Sequence, residues 1–293
     1  MPSLKDTKRR INSVKNTQKI TRAMKLVSSA KYARANFALM NAKPYFRSFV
    51  ELLQEVVANS ELEATLLKER KNPKKRLLVL LSTDRGLCGP LNSSLFKQAQ
   101  SFLDEGEQEG YKSSLELWGK RAIMFGGSRE ERVLSSHEKV LEKPSYAFAK
   151  RAFLRLQNHF LKGDFDEVFV AYSSFSTALS QPPVIKKLLP IGGLLPQGGP
   201  ADLSAVGQGS LLFEPEPRLM LGSFLQKLGA AALHHFILEA SVAEQAARMA
   251  AMDSATSNAD KVIKDLTLEY NRARQASITK ELIEITSGAE ALN

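Results

Sequence analysis

Two long stretches of the chain, one at each end, have the residue pattern of uninterrupted helices. The first runs from Leu4 to about Ser60 with no glycine and one proline, Pro44. A proline lacks an amide hydrogen and can kink or end a helix, so continuity through Pro44 stays open at this point. At 1.5 Å per residue, roughly 55 helical residues would span about 80 Å.

The second stretch begins at Pro217, a residue type that suits the first turn of a helix. It continues to Ser287 with no further proline and with only Gly222 and Gly229. Its apolar positions alternate three and four residues apart, which is the spacing of a coiled coil, but the phase shifts between three blocks. The blocks are Phe236, Ala240, Ala243, Ala247, Ala250 and Ser254; then Ala259, Ile263, Leu266, Tyr270, Ala273 and Ser277; then Ile278, Leu282, Ile285 and Ala289.

The middle of the chain has a different pattern, in which short apolar runs alternate with amphipathic stretches. Strands are predicted at Arg76–Ser82, Ser114–Trp118 and Glu167–Phe175, with one more in the run from Pro183 to Ile191. Helices are predicted at Ser94–Glu109 and Tyr146–Leu161. Strands that alternate with helices are typical of an α/β unit with a partly parallel sheet.

These patterns predict an α/β protein: a long antiparallel coiled coil of the N- and C-terminal helices, plus a small Rossmann-like α/β domain. The predicted boundaries are 1–60 for the first helix, 74–190 for the α/β domain and 214–293 for the last helix. Residues 190–213 are rich in glycine and proline and are predicted to be a loop.

Charge is concentrated at the N-terminus. The formal net charge of the chain is +10, and residues 1–47 contain twelve Lys or Arg and the single acid Asp6. Such a balance favours an acidic partner, whether nucleic acid, an anionic membrane surface or an acidic protein face. Yet the same helix is apolar on more than one side, because Ile20, Met24, Leu26 and Val27 lie between the basic residues.

The candidate chemistry of the chain is sparse. The turn from Thr83 to Gly89 follows the first strand, where α/β proteins often bind phosphate, but neither a P-loop nor a G-x-G-x-x-G fingerprint is present. We therefore expect a structural turn or a protein contact there, and an inert thiol at Cys88. His234 and His235 point about 100° apart on a helix, so no metal site is expected, and we expect no cofactor.

From these patterns alone, three classes of function remain open. The chain could be a helical interaction protein with an α/β head, a basic rod that binds nucleic acid, or an α/β enzyme with helical extensions. The second would bind with a steep dependence on salt and leaves the heptads of the C-terminal half unexplained. The third requires a phosphate loop or a catalytic set, and the sequence contains neither motif.

Longer sequence motifs distinguish between these three classes of function. The sequences NTQKITRAMKLVSSAK, STDRGLCGPLN, LFEPEP, AEQAARMAAMDSATSNADKVI and EYNRARQASITKELIEITSGAEAL resemble, in this order, the gamma subunits of F-type ATP synthases. The resemblance implies a central rotor shaft that turns inside three alpha and three beta subunits and couples proton flow to ATP synthesis or hydrolysis. It also implies contact with epsilon and the c-subunit ring, an indirect link to delta, a and b, no nucleic acid, and no catalytic residue in this chain.

The resemblance further implies positions for the contacts between shaft and ring. Those matched to rotor–stator contacts are Lys8, Arg9, Met24, Lys25, Arg85, Arg248, Gln275 and Thr279. Ile278, Leu282 and Ile285 match an apolar upper bearing. The match starts at residue 1 and the chain has one cysteine, which favours a bacterial protein. Its expected location is the cytoplasmic face of the plasma membrane, with membrane contact only through the complex.

Overall fold

The computed structural model describes residues 4–58, 66–194 and 217–290, and places a long helix at each end of the chain. Helix α1 spans Leu4–Ala58 and helix α5 spans Pro217–Glu290. The chain divides into two compact units, one of residues 1–29 with 248–293 and one of residues 30–247. Both long helices contribute to both units, and each unit is described in turn. Among the described residues, no helix is long and apolar enough to cross a bilayer.

The first unit is an antiparallel pair formed by α1 and α5. Gln18 donates to Asp260, Lys25 donates to Asp253 at 2.6 Å, and the hydroxyl of Thr256 donates to that of Thr21 at 2.8 Å. As the residue number of the α1 partner increases from pair to pair, that of the α5 partner decreases, so the helices run antiparallel, as predicted. Thr21 and Thr256 lie within the contact stripe and fix the register of the pair, as polar residues at core positions of coiled coils do, while Asp253 and Asp260 flank the stripe on α5.

Each helix of this unit contacts its partner along one heptad stripe. On α1 the stripe is Thr7, Ile11, Val14, Gln18, Thr21, Lys25 and Ser28; on α5 it is Met252, Thr256, Ala259, Ile263, Leu266, Tyr270, Ala273 and Ser277. The predicted second block is therefore confirmed. The first block was wrong at its last position, because Ser254 is exposed and the change of phase falls before it.

The second unit is built on a five-stranded sheet with the order β3-β2-β1-β4-β5. Its strands are β1 (Lys75–Leu81), β2 (Lys112–Trp118), β3 (Val133–His137), β4 (Glu167–Ser173) and β5 (Pro183–Leu189). The first four are parallel and β5 pairs antiparallel to β4. This is the predicted Rossmann-like α/β domain. Strand β1 is central, which explains its continuous aliphatic run.

Helices cover both faces of the sheet. One face packs against α2 (Leu91–Gln108) and the short α3 (Lys120–Gly126). The other face packs against α4 (Tyr146–Lys162) and the Leu225–Ala240 part of α5. Leu78 and Leu80 of β1 point to the first face while Leu77, Val79 and Leu81 point to the second, as the two-residue period of a strand requires.

Helix α1 continues through Pro44 to Ala58, so the proline does not end the helix. Aromatic packing follows the proline directly. The ring of Phe46 stacks on His235 at 4.9 Å between centroids, and Phe49 stacks on Phe224 at 5.1 Å. These contacts with α5 offset the backbone hydrogen bond that a proline removes, about 3 kcal/mol in a helix interior.

Two elements were not predicted from the sequence. Strand β3 and helix α3 lie between the predicted strand at Ser114–Trp118 and the helix that begins at Tyr146, with a 3₁₀ turn at Gly127–Arg132 between them. Both are short, and β3 is a half-exposed edge strand with a mixed polar sequence. Much of the predicted loop at 190–213 lies outside the described residues.

Gly229 on α5 gives a test of this packing. A Cβ atom at Gly229 would lie inside the ring of Phe153 on α4, and that ring is fully buried. Because the ring has no free space, we expect Gly229→Ala to lower the free energy of unfolding by about 1–3 kcal/mol. Denaturant titration of the purified chain measures this.

Gly222→Ala is the matched control, since a Cβ there meets no atom within 4 Å. It should leave the stability equal or raise it by about 0.5–1 kcal/mol, because alanine favours helix over glycine. Equal stabilities of the two variants would contradict the packing described for Gly229.

Candidate functional site

The exposed faces of the helix pair in the first unit carry most of the predicted contact residues. Lys8 and Arg9 are exposed on α1, and Arg9 lies 3.4 Å from Asp6 in a solvent-facing ion pair. Met24 and Lys25 are half-buried beside the contact stripe. Lys25 is partly engaged by Asp253, so its charge is shared with α5, whereas the charges of Lys8 and Arg9 are directed outward.

A second apolar face on α1 is exposed, as the sequence suggested. Ile20, Leu26 and Val27 are 60%, 66% and 58% exposed, although they belong to a helix whose other stripe is already packed. Single exposed apolar residues are common on proteins and need no explanation. Several of them within two turns of a basic helix are typical of a surface that a partner covers.

The C-terminal part of α5 is apolar and extends past its partner helix. The register places Leu4 of α1 opposite about residue 274 of α5. From Ile278 to Ser287 every described side chain is exposed, including Ile278 at 49%, Leu282 at 58% and Ile285 at 67%. Gln275 and Thr279 are also exposed; the Thr279 hydroxyl donates to the Gln275 carbonyl oxygen at 2.9 Å. The structure thus presents an apolar tip with polar groups at its base.

Arg248 differs from the other contact candidates. It is only 8% exposed, so it is not an ordinary surface arginine. Burial of an arginine is uncommon because its charge must be compensated. Its contact with another subunit stays a prediction.

In the second unit, the turn after β1 presents two exposed side chains on a rigid backbone. Arg85 is 78% exposed and pairs with Glu142 at 3.5 Å, and Leu87 is 63% exposed with φ of 63°. A left-handed conformation is uncommon for a leucine. Sequence reasoning missed Leu87, since only the exposure and the backbone angle distinguish it from a core residue.

Hydrogen bonds within the turn and from helix α2 fix the conformation of this turn. The Thr83 hydroxyl donates to the Arg85 carbonyl oxygen at 2.7 Å, and the Asn92 side chain donates to the Thr83 oxygen at 2.8 Å. Cys88 is buried and packs with Leu91 and with Ala247 of α5. The thiol of Cys88 is therefore buried, and its packing holds the turn against α5.

Polar groups of this turn and of the end of β1 also cap the start of α3, the helix that follows β2. The three leading amides of α3 all donate within the chain: Lys120 to Asp84 at 3.2 Å, Arg121 to the Thr83 carbonyl at 3.2 Å and Ala122 to the Ser82 hydroxyl at 2.6 Å. The Asp84 carboxylate also accepts from the amide of Lys139 at 2.9 Å. A negative side chain takes the place that an anion would take at these amides, so the arrangement suits a structural turn.

The two adjacent histidines contact aromatic rings. His234 lies edge-on to Tyr146, and His235 stacks on Phe46. Burial lowers the pKa of both imidazoles below the usual value, an effect that the nearby Glu239 partly opposes for His235. Both histidines therefore serve as packing residues.

Comparison with known proteins identifies the class of the molecule. A family model described as ATP synthase matches residues 3–292. The ATP synthase gamma chain of Geobacter sp. (strain M21) is 38% identical over 292 residues, covering 100% of this chain and 99% of the relative. That of Bdellovibrio bacteriovorus is 36% identical, with the same coverage. This chain belongs to the ATP synthase gamma chain family.

Solved structures agree on the fold. A chain of the Euglena gracilis mitochondrial ATP synthase is 20% identical with a TM-score of 0.65, covering 99% of this chain and 94% of that one. A chain from the central stalk and c-ring structure of the Tetrahymena thermophila mitochondrial ATP synthase is 23% identical with a TM-score of 0.59. It covers 80% of this chain and 99% of that one. At these identities the likeness concerns the fold alone.

The exposure of the apolar tip can be tested in the isolated chain. Because Leu282 and Ile285 contact solvent, we expect the double change Leu282→Gln and Ile285→Gln to alter the free energy of unfolding by less than about 0.5 kcal/mol. Denaturant titration is the measurement, and Ile263→Gln within the contact stripe is the control that should destabilise. A loss of stability at the tip as large as that of the control would show that the tip is packed within the chain.

Proposed function

We propose that this chain is the central rotor shaft of an F-type ATP synthase. It couples proton flow through the membrane ring to ATP synthesis or hydrolysis at the beta subunits by rotating inside the hexamer of alpha and beta subunits. Full-length similarity to gamma chains supports the assignment. In this role the chain binds no nucleotide, because the catalytic sites of the complex lie on the beta subunits.

The observation that carries the proposal is the surplus of apolar surface on the helices of the first unit. A two-helix coiled coil buries one stripe of each helix, yet α1 and α5 expose further apolar residues outside that stripe. These residues have no partner to pack against among the described residues of this unit. A surrounding ring of subunits supplies such a packing partner. Contact with that ring also explains why basic and apolar residues are interleaved on the helices.

The composition of the exposed surface suits rotation. A shaft that turns must leave each contact as readily as it forms it, and solvent-facing ion pairs contribute only about 0–1 kcal/mol. We assign Lys8, Arg9, Lys25 and Arg85 to transient contacts with acidic groups of the beta subunits. Gln275 and Thr279 contribute hydrogen bonds of about 1 kcal/mol each in the same way, as does the exposed part of Arg248.

The apolar tip fits the upper bearing. Ile278, Leu282 and Ile285 are apolar and exposed along one face of α5, and the exposed Ile283 lies on another side of the same helix. Apolar contacts are non-directional, so they hold the tip in place without favouring one angle of rotation. We therefore assign this segment to an apolar collar at the top of the hexamer.

The other partners follow from the same assignment. The α/β domain of residues 74–190 contacts epsilon and the c-subunit ring, while delta, a and b are reached only through the complex. The chain lies at the cytoplasmic face of a bacterial plasma membrane and touches the membrane only through its partners.

Met24 is the position at which the shaft can be tested. It is half-buried beside the contact stripe, next to Lys25. A Met24→Lys change adds a charge at a position matched to a rotor–stator contact. One added ion pair of about 1 kcal/mol is enough to change the rate of a rotational step several-fold. In a complex with alpha and beta of the same organism, we expect slower ATP hydrolysis and poorer proton pumping per ATP.

Met24→Leu is the control, because it keeps the volume without the charge. The wild-type chain should form a complex with one copy per three alpha–beta pairs and sustain turnover. If it neither assembles nor changes hydrolysis, the shaft assignment is wrong. Salt-dependent binding of nucleic acid by the same chain would then support the basic-rod alternative.

A further inference from the structure

Glu239 of α5 is tied to the end of strand β4 by three hydrogen bonds. Its carboxylate accepts from the Tyr172 hydroxyl at 2.8 Å, the Ser174 hydroxyl at 2.9 Å and the Phe175 amide at 3.1 Å. Its side chain is only 17% exposed. All three groups are donors, which suits a carboxylate because both of its oxygens act only as acceptors.

A second polar contact joins α5 to the sheet domain close by. The hydroxyl of Ser241, which is 4% exposed, donates to the carbonyl oxygen of Leu141 at 2.9 Å. Leu141 follows strand β3, so α5 is bonded to segments that follow two different strands of the sheet. Two attachments a short distance apart along a helix resist its rotation about its own axis better than one.

Helix α1 is attached differently in the same unit. Its packing there, as far as the described residues extend, is apolar or aromatic: Leu39 packs with Leu238 and Val242, and Tyr32 lies 5.9 Å from Phe175, while Lys43 acts on His235 of α5 through its charge. Such contacts hold α1 against α5 and the hairpin after β4. They lack the directional preference of a hydrogen bond, which weakens steeply when its angle is distorted.

We infer that Glu239 is a positioning residue that makes α5 the helix through which torque passes to and from the sheet domain. This inference rests on the proposed shaft function. When the sheet domain is turned, the three donors on β4 and its following loop carry Glu239, and therefore α5, with them. Helix α1 follows because it is packed on α5, not because it is bonded to the sheet.

The test is the change Glu239→Gln in the assembled, membrane-bound complex. A glutamine keeps the shape but replaces one carboxylate oxygen with an NH₂ group and removes the charge. The bond from Tyr172 or those from Ser174 and Phe175 must then be lost or reversed, and the bonds that remain are neutral and weaker. ATP hydrolysis and ATP-driven proton pumping are measured on the same vesicles, without and with an opposing proton gradient. We expect near wild-type hydrolysis without the gradient. Against the gradient, protons pumped per ATP should fall about twofold or more, the range by which single positions alter coupling.

Two further variants separate torque transmission from stability. Leu39→Ala removes a buried apolar contact of α1 and should lower the melting temperature at least as much as Glu239→Gln, while leaving the pumping ratio unchanged. Tyr172→Phe removes one donor and should lower the ratio in the same direction, which provides a test if Glu239→Gln does not assemble.

The outcomes are distinct. A wild-type complex that does not couple hydrolysis to pumping overturns the shaft function and this inference with it. A coupled wild type with an unchanged ratio in Glu239→Gln overturns the inference alone. An equal decrease in protons pumped per ATP in Leu39→Ala would also overturn the inference alone, because the attachment of α5 would then have no special role.

Discussion

A helix in a two-helix coiled coil can bury only one stripe, and the rest of the first unit follows from that limit. Thr7, Ile11 and Thr21 of α1 occupy the stripe against α5. Every other position must face solvent or a further partner. The exposed Ile20 and Leu26 therefore indicate a partner outside this chain. The same limit explains the apolar tip, since α5 continues where the described part of α1 has ended.

The Rossmann-like domain shows how a fold associated with nucleotide binding can serve another purpose. Its strand order and parallel β1–β4 core resemble those of dinucleotide-binding domains, yet the turn after β1 lacks their glycine fingerprint, and its Asp84 accepts from the amides of Lys120 and Lys139. The turn after β1 is directed instead towards Ala247 through Cys88, and presents Arg85 and Leu87 outward. The turn at the carboxyl end of β1 thus packs on α5.

Much of this architecture could be predicted because the signals are long. Long helix-forming sequence predicted α1, with its continuity through Pro44 left open, and heptad spacing predicted α5, while aliphatic runs predicted the buried strands. Short elements without strong periodicity, β3 and α3, could not be found in this way. The burial of Arg248 and the exposure of Leu87 depend on what packs around each residue, which local sequence does not contain. Whether helix α1 can continue through Pro44 likewise depends on distant residues, because Phe224 and His235 pack against the aromatic residues that follow the proline.

The shifting heptad phase of α5 has a physical cause that the second unit makes visible. From Gly229 to Ala247 almost every side chain is buried, because sheet, α4, α1 and the turn after β1 together surround the helix. A helix that is apolar on all sides is a buried one, and its alanines allow these neighbours to approach closely. Close packing, such as that of Gly229 against the Phe153 ring, and the polar bonds of Glu239 and Ser241 together fix the rotation of the helix about its axis.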